Sequence, residues 1–211
     1  MRTQELVELL ARRAGPVAPR AVQRRLAGAA LGGLAAATIV IIAVLGVNPQ
    51  LGAMGAPLIQ KLTFVGALAL AAGWLTDRAS RPGAPSAAAV ASLIGIVLAM
   101  ACLAFVTLLN APPGQAGSLV LGSSWSTCPW RIALLSVPAL GLLLAAIRTL
   151  APPSGWVAGF AAGLLAGAVG ALAYSLYCTE TSPAFVLVWY SCGALLPAVA
   201  GAALGSRLLT W

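Results

Sequence analysis

Gly155-Trp156-Val157-Ala158-Gly159-Phe160-Ala161-Ala162-Gly163-Leu164-Leu165-Ala166-Gly167-Ala168-Val169-Gly170-Ala171-Leu172-Ala173-Tyr174-Ser175-Leu176-Tyr177 decides the fold class. No side chain in this stretch carries a charge. Coiled as a helix that rises about 1.5 Å per residue, it crosses a hydrocarbon layer of about 30 Å. Gly155, Gly159, Gly163 and Gly167 recur every fourth residue and form one smooth stripe. A second helix can approach such a stripe closely, as small-residue faces allow inside membranes. The stripe is read as a packing device.

Five more apolar segments flank it. They run from about Leu26 to Val47, Pro57 to Leu75, Ser86 to Leu109, Ile132 to Leu150 and Pro183 to Leu204. Pro138 and Pro197 lie inside the fourth and sixth segments and are expected to kink them. Each precedes an arginine by the same interval, Arg148 and Arg207, a weak hint of a duplicated hairpin. The connections are short, so consecutive helices are expected to be antiparallel neighbours. Hydrophobic residues make up 61% of the chain and charged residues 8%, with a mean hydropathy of +0.98. A soluble core could not take up that much apolar surface, and an ordinary soluble domain is about 25% charged. The reading is an all-α integral membrane protein: a bundle of six transmembrane helices, residues 26–211, behind a tail of residues 1–25.

Basic residues orient the bundle. Arg2, Arg12, Arg13, Arg20, Arg24, Arg25, Arg78, Arg81, Arg148 and Arg207 share one side, and only Lys61 and Arg131 share the other. By the positive-inside rule both termini are cytoplasmic. Anionic lipid accounts for the basic face, so no direct nucleic-acid contact is read from it. Arg24-Arg25 before an apolar run imitates a signal peptide, but the run has full spanning length and five others follow. The chain has no histidine and four acidic residues. That poverty speaks against most acid–base enzymes, zinc sites and proton-coupled pumps, and the chain is read as not an enzyme.

In the tail, Thr3 suits an N-cap, with Gln4, Glu5 and Glu8 in the first turns. Leu6, Leu9 and Leu10 fall on one face, Arg12 and Arg13 follow, and Gly15-Pro16 stops the short amphipathic helix. About ten residues are marginal as an isolated helix. Its leucine face therefore needs a partner protein, the membrane surface or the bundle; a frayed tail that only sets orientation is the plainer reading.

Ser123-Ser124-Trp125-Ser126-Thr127-Cys128-Pro129-Trp130-Arg131 places Cys128 in a polar outer loop, and Tyr177-Cys178-Thr179-Glu180 places Cys178 in the next loop on that face. Three uses remain open for the two thiols. They are a structural disulfide, a redox switch, or capture of a thiophilic metal with help from Glu180. Arg131, Lys61 and Glu180 are the charges on this face, and an ion pair among them is expected, with its partners unassigned. Cys102 and Cys192 fall within apolar runs and are read as packing. No Cys-x-x-Cys is present, against a catalytic thiol oxidoreductase.

These residues, in this order, resemble the NrsF family, negative regulators of sigma-F. The resemblance spans nearly the whole chain. It rests on Thr3-x-x-Leu6-x-x-Leu9-Leu10, Gly15-Pro16, Lys61-Leu62, Trp125-x-x-Cys128-Pro129 and Leu135-Ser136-x-Pro138-Ala139. It continues in Tyr177-Cys178, Pro183-Ala184-Phe185-x-x-x-Trp189-Tyr190 and Leu195-Leu196-Pro197. The resemblance implies an anti-sigma factor that is a multi-pass protein of the bacterial inner membrane. Such a protein sequesters an extracytoplasmic-function sigma factor on the cytoplasmic side and releases it under heavy-metal or oxidative stress. It maps the family's paired sensing cysteines onto Cys128 and Cys178. Docking of the sigma factor is assigned to Leu6, Leu9, Leu10, Arg12 and Arg13. No obligatory cofactor is implied; a thiophilic metal ion would be held only transiently. The alternative is a small-solute or metal-ion transporter. No charged residue lies at a helix centre to line a path for it.

Overall fold

The computed structural model describes residues 20–209. Its regular structure within that range is entirely helical. Helix α1 spans Ala21–Leu45 and ends in a wide π turn over Ile41–Leu45. A 3-10 turn, Leu51–Ala53, leads into α2, Gly55–Ala79. Then follow α3, Ala87–Leu109, the short α4, Ala116–Leu121, and α5, Cys128–Arg148. Helix α6 spans Gly155–Tyr174, and α7 spans Pro183–Leu208 with a π turn at Val186–Tyr190. All but α4 are long and apolar enough to cross a membrane, six in all among the described residues.

Burial locates the centre. Nearly every residue of α6 is enclosed, and α1, α2, α5 and α7 all pack on it. Helix α3 lies outside, against α2 and the start of α7. The enclosure of α6 follows from its glycines. A Cβ on Gly155 would meet the Gly205 carbonyl oxygen at 2.6 Å, and one on Gly167 would meet Ala194 Cα at 2.6 Å. Gly159 and Gly163 abut the carbonyls of Gly201 and Pro197, and Gly201 and Gly205 return the contact. On another face of α6, Gly170 lies against the Ile132 carbonyl of α5. With lipid as apolar as leucine, such close backbone approach and its dispersion energy hold membrane helices together.

Several boundaries differ from the sequence reading. Helix α2 extends to Ala79, four residues past the expected end. Helix α5 starts four residues earlier than expected, so Cys128 is its first residue rather than a loop residue. Helix α4 was not foreseen. Both Pro138 and Pro197 sit within continuous helix. Cys102 and Cys192 lie exposed on the lateral surface, so they are not the interior packing residues expected. The residues assigned to sigma-factor docking, Leu6, Leu9, Leu10, Arg12 and Arg13, lie outside the described residues.

Gly159→Ala should destabilise the bundle by about 1–3 kcal/mol, the usual cost of overpacking a tight contact. Gly66→Ala, whose Cβ would meet nothing within 4 Å, should be neutral or slightly stabilising, since glycine costs about 0.5–1 kcal/mol against alanine in a helix. Unfolding in mild detergent, followed by circular dichroism, measures the difference.

Candidate functional site

The loop before α5 coils into turns. The Thr127 and Cys128 amides both donate to the Ser124 carbonyl, at 3.2 and 2.9 Å. Pro129 then occupies the first helical turn, where its missing N–H costs nothing. This places Cys128 at the mouth of α5, fully buried. The other thiol follows the end of α6, where the Cys178 amide donates to the Tyr174 carbonyl at 3.0 Å. Both cysteines belong to one buried cluster with Ile132, Tyr174, Phe185, Val186 and Tyr190. Both are free thiols.

A buried lysine holds this end of the bundle. Lys61, from the first turns of α2, is 1% exposed. Its Nζ donates to the Cys178 carbonyl at 2.8 Å and the Glu180 carbonyl at 2.9 Å. It also lies 5.5 Å from the Tyr190 ring centroid, within cation–π range. The expected ion pair does not form. The Glu180 carboxylate instead accepts from the Ser123 amide at 2.8 Å and the Ser123 hydroxyl at 2.7 Å. The Arg131 guanidinium stacks 5.1 Å from the Tyr177 ring centroid. One oxygen of Glu180 is thereby engaged by Ser123. No group of three His, Cys, Asp or Glu side chains converges among the described residues. The sulfurs alone would have to ligate a soft metal here.

Further ties complete the arrangement. The Asn48 amide donates to the Leu176 carbonyl at 3.0 Å, and Trp189 Nε1 donates to the Val120 carbonyl at 2.8 Å. Gly122 has φ 56, and a Cβ there would strike the Phe185 ring and the Glu180 carboxyl carbon. The loop can pass so near α7 only without a side chain. Between these loops opens a cavity of about 350 Å³, lined by Asn48, Ser124, Arg131, Tyr174, Tyr177 and Cys178 among others.

The whole chain matches a known family. The family model described as NrsF, negative regulator of sigma F, matches residues 10–211. The chain belongs to the NrsF family. It is 42% identical over 215 residues to the probable anti-sigma-F factor NrsF of Azospira oryzae, covering 100% of both chains. It is 38% identical over 217 residues to the anti-sigma-F factor NrsF of Caulobacter vibrioides, again covering 100% of both. No solved structure matches.

Sequence reasoning placed Lys61 on the correct face of this NrsF chain but looked for a carboxylate partner; its acceptors are backbone carbonyls. It did not single out Tyr174 and Tyr190 as site residues, both essentially unexposed, because nothing within an apolar run marks which aromatic ring faces inward. The signal available was a lysine in an apolar run with no acid in helical reach. Such a group has to find carbonyls or aromatic faces.

Lys61→Met should free the Cys178 loop, at a cost of about 1–3 kcal/mol for the carbonyls left unpaired. With Cys102 and Cys192 replaced by Ala, maleimide labelling of Cys178 in membranes should accelerate severalfold. An unchanged labelling rate would show that Lys61 does not hold the loop.

Proposed function

We propose that this chain is a membrane-bound anti-sigma factor that sequesters an extracytoplasmic-function sigma factor at the inner membrane. The observation that carries the reading is the end-to-end identity to two proteins named as anti-sigma-F factors. The role is regulatory rather than catalytic. The basic end of the bundle faces the cytoplasm, as the distribution of arginines favours. The sigma factor docks there on Leu6, Leu9, Leu10, Arg12 and Arg13. A tail of about 25 residues covers little of a sigma factor, so the turn after α2, where Arg81 bonds Asp77 at 2.7 Å, adds to the contact.

Release is signalled from the opposite end. Either a two-electron thiol oxidant takes both thiol hydrogens and Cys128 and Cys178 close into a disulfide, or both thiols release their protons to solvent and grip a thiophilic metal ion as thiolates. Either event pulls the mouth of α5 toward the loop that Lys61 holds against α2. A signal acts only through its preference for one bundle conformation over another. Turning a 1:99 ratio into 99:1 needs about 5.5 kcal/mol, within reach of a covalent bond or a two-thiolate metal site. Helix α2 reaches from Lys61 to Asp77 and links the two ends. Transport is not favoured, because the buried charges Lys61 and Asp77 sit at opposite ends of α2 and each already has partners.

Replacing Cys128 and Cys178 together by Ser should abolish the induction of sigma-dependent transcription by cadmium or by the thiol oxidant diamide, read with a promoter fusion. Full induction would remove the sensing role. Deleting residues 1–14 should release the sigma factor on affinity pull-down from membranes. A persistent complex would place docking elsewhere.

A further inference from the structure

The cavity beside Cys178 has a chemistry that two thiols do not explain. Arg131 is the only charged side chain in its lining. Two hydroxyls are buried there, Ser124 Oγ and Tyr174 Oη. Tyr174 is 0% exposed, and the group that approaches its hydroxyl is the Arg131 guanidinium, a donor only, so the phenolic hydrogen still lacks an acceptor unless something fills the cavity. Tyr177 and Asn48 add further polar groups, and the Arg131 guanidinium, which lies over the Tyr177 ring and approaches the Tyr177 and Tyr174 hydroxyls, has five N–H donors and so keeps some for a ligand. Ser124 precedes α5 and Arg131 lies in its first turn, so the positive end of a long helix dipole borders the cavity.

The charge balance favours an anion. Lys61 lies nearby with its three N–H bonds aimed at carbonyls and a ring. Glu180 is the one nearby carboxylate, and its Oε1 is occupied by both donors of Ser123. Two cations against one acid leave the site positive. Unpaired hydroxyl donors, a guanidinium and a helix N-terminus are the groups that bind a compact anion with several acceptor oxygens.

We propose that this cavity binds a small free oxyanion, held by Arg131, Tyr174 and Ser124 beside Cys178. An anion so placed sits against one thiol of the pair and ties the first turn of α5 to the end of α6. Any effect on sigma-factor release rests on the regulatory reading above; the binding itself does not.

The experiment titrates sodium sulfate into the purified full chain in lipid-free neutral detergent, at ionic strength held constant with sodium chloride. Intrinsic fluorescence reports, since Trp125 and Trp130 flank Cys128. Saturable sulfate binding is expected. Arg131→Gln should weaken it about tenfold or more, the usual worth of a charge-assisted hydrogen bond. Tyr174→Phe, which removes only a hydroxyl, should weaken it about threefold. Arg131→Lys should fall between, having kept charge and lost the fork. Arg25→Gln, at the other end of the bundle, should leave the titration unchanged. Non-saturable binding, or saturable binding indifferent to both Tyr174→Phe and Arg131→Lys, overturns the proposal, and so does competition by added phosphatidylglycerol, which would assign the site to a lipid headgroup. Because no sigma factor is present, failure here leaves the regulatory reading standing. Failure of the cysteine substitutions to alter induction leaves this binding site untouched.

Discussion

Helices α6 and α7 touch backbone to backbone, and the rest of the molecule is arranged around that contact. Four glycines of α6 meet the backbone of α7, and Gly201 and Gly205 of α7 meet α6 in return. Inside a hydrocarbon layer helices gain nothing from hiding apolar side chains from lipid. They gain from dispersion at close range. A stripe without side chains lets α6 occupy the middle of the bundle, with α1, α2, α5 and α7 around it. That centrality puts the end of α6 under the mouth of α5, and the second thiol follows directly.

The two ends of the bundle are built differently. One carries loops tied by long-range hydrogen bonds: Lys61 to two carbonyls, Ser123 to Glu180, Asn48 to Leu176, and Trp189 to Val120. The other carries arginines, among them Arg81 with Asp77 and Arg25 with Thr149. A buried lysine satisfied by main-chain oxygens is well suited to fix a loop. It cannot simply be removed without leaving those oxygens unpaired. The thiol end is therefore tied at many points, while Ser124 Oγ and Tyr174 Oη in its cavity keep hydrogens without an acceptor.

Much of this was legible in the residues. Apolar run length marked six spans, and the glycine interval marked the helix able to sit innermost. Both signals are local and repeat with the period of a helix. The order of short motifs around Cys128, Cys178 and Pro183-Ala184-Phe185 pointed to the NrsF family. The site itself was half legible. Cys128 and Cys178 could be assigned to one face because each lies at the end of a span. The partners of Lys61, Arg131 and Glu180 could not be assigned, because all three close across loops far apart in the chain, where no periodicity carries information.

What the sequence alone determined, then, is the number of spans, which loops share an end of the bundle, and the stripe along which α6 packs. Each of these depends on the spacing of residues along one helix or on the sign of charge at its ends. Only the tertiary structure decided that Lys61 clasps backbone carbonyls, that Glu180 turns to Ser123, and that Tyr174 and Ser124 line a cavity beside a thiol. Those choices depend on how helix ends from different parts of the chain converge. Backbone carbonyls and unpaired hydroxyls, the groups that make those contacts, leave no mark in a sequence.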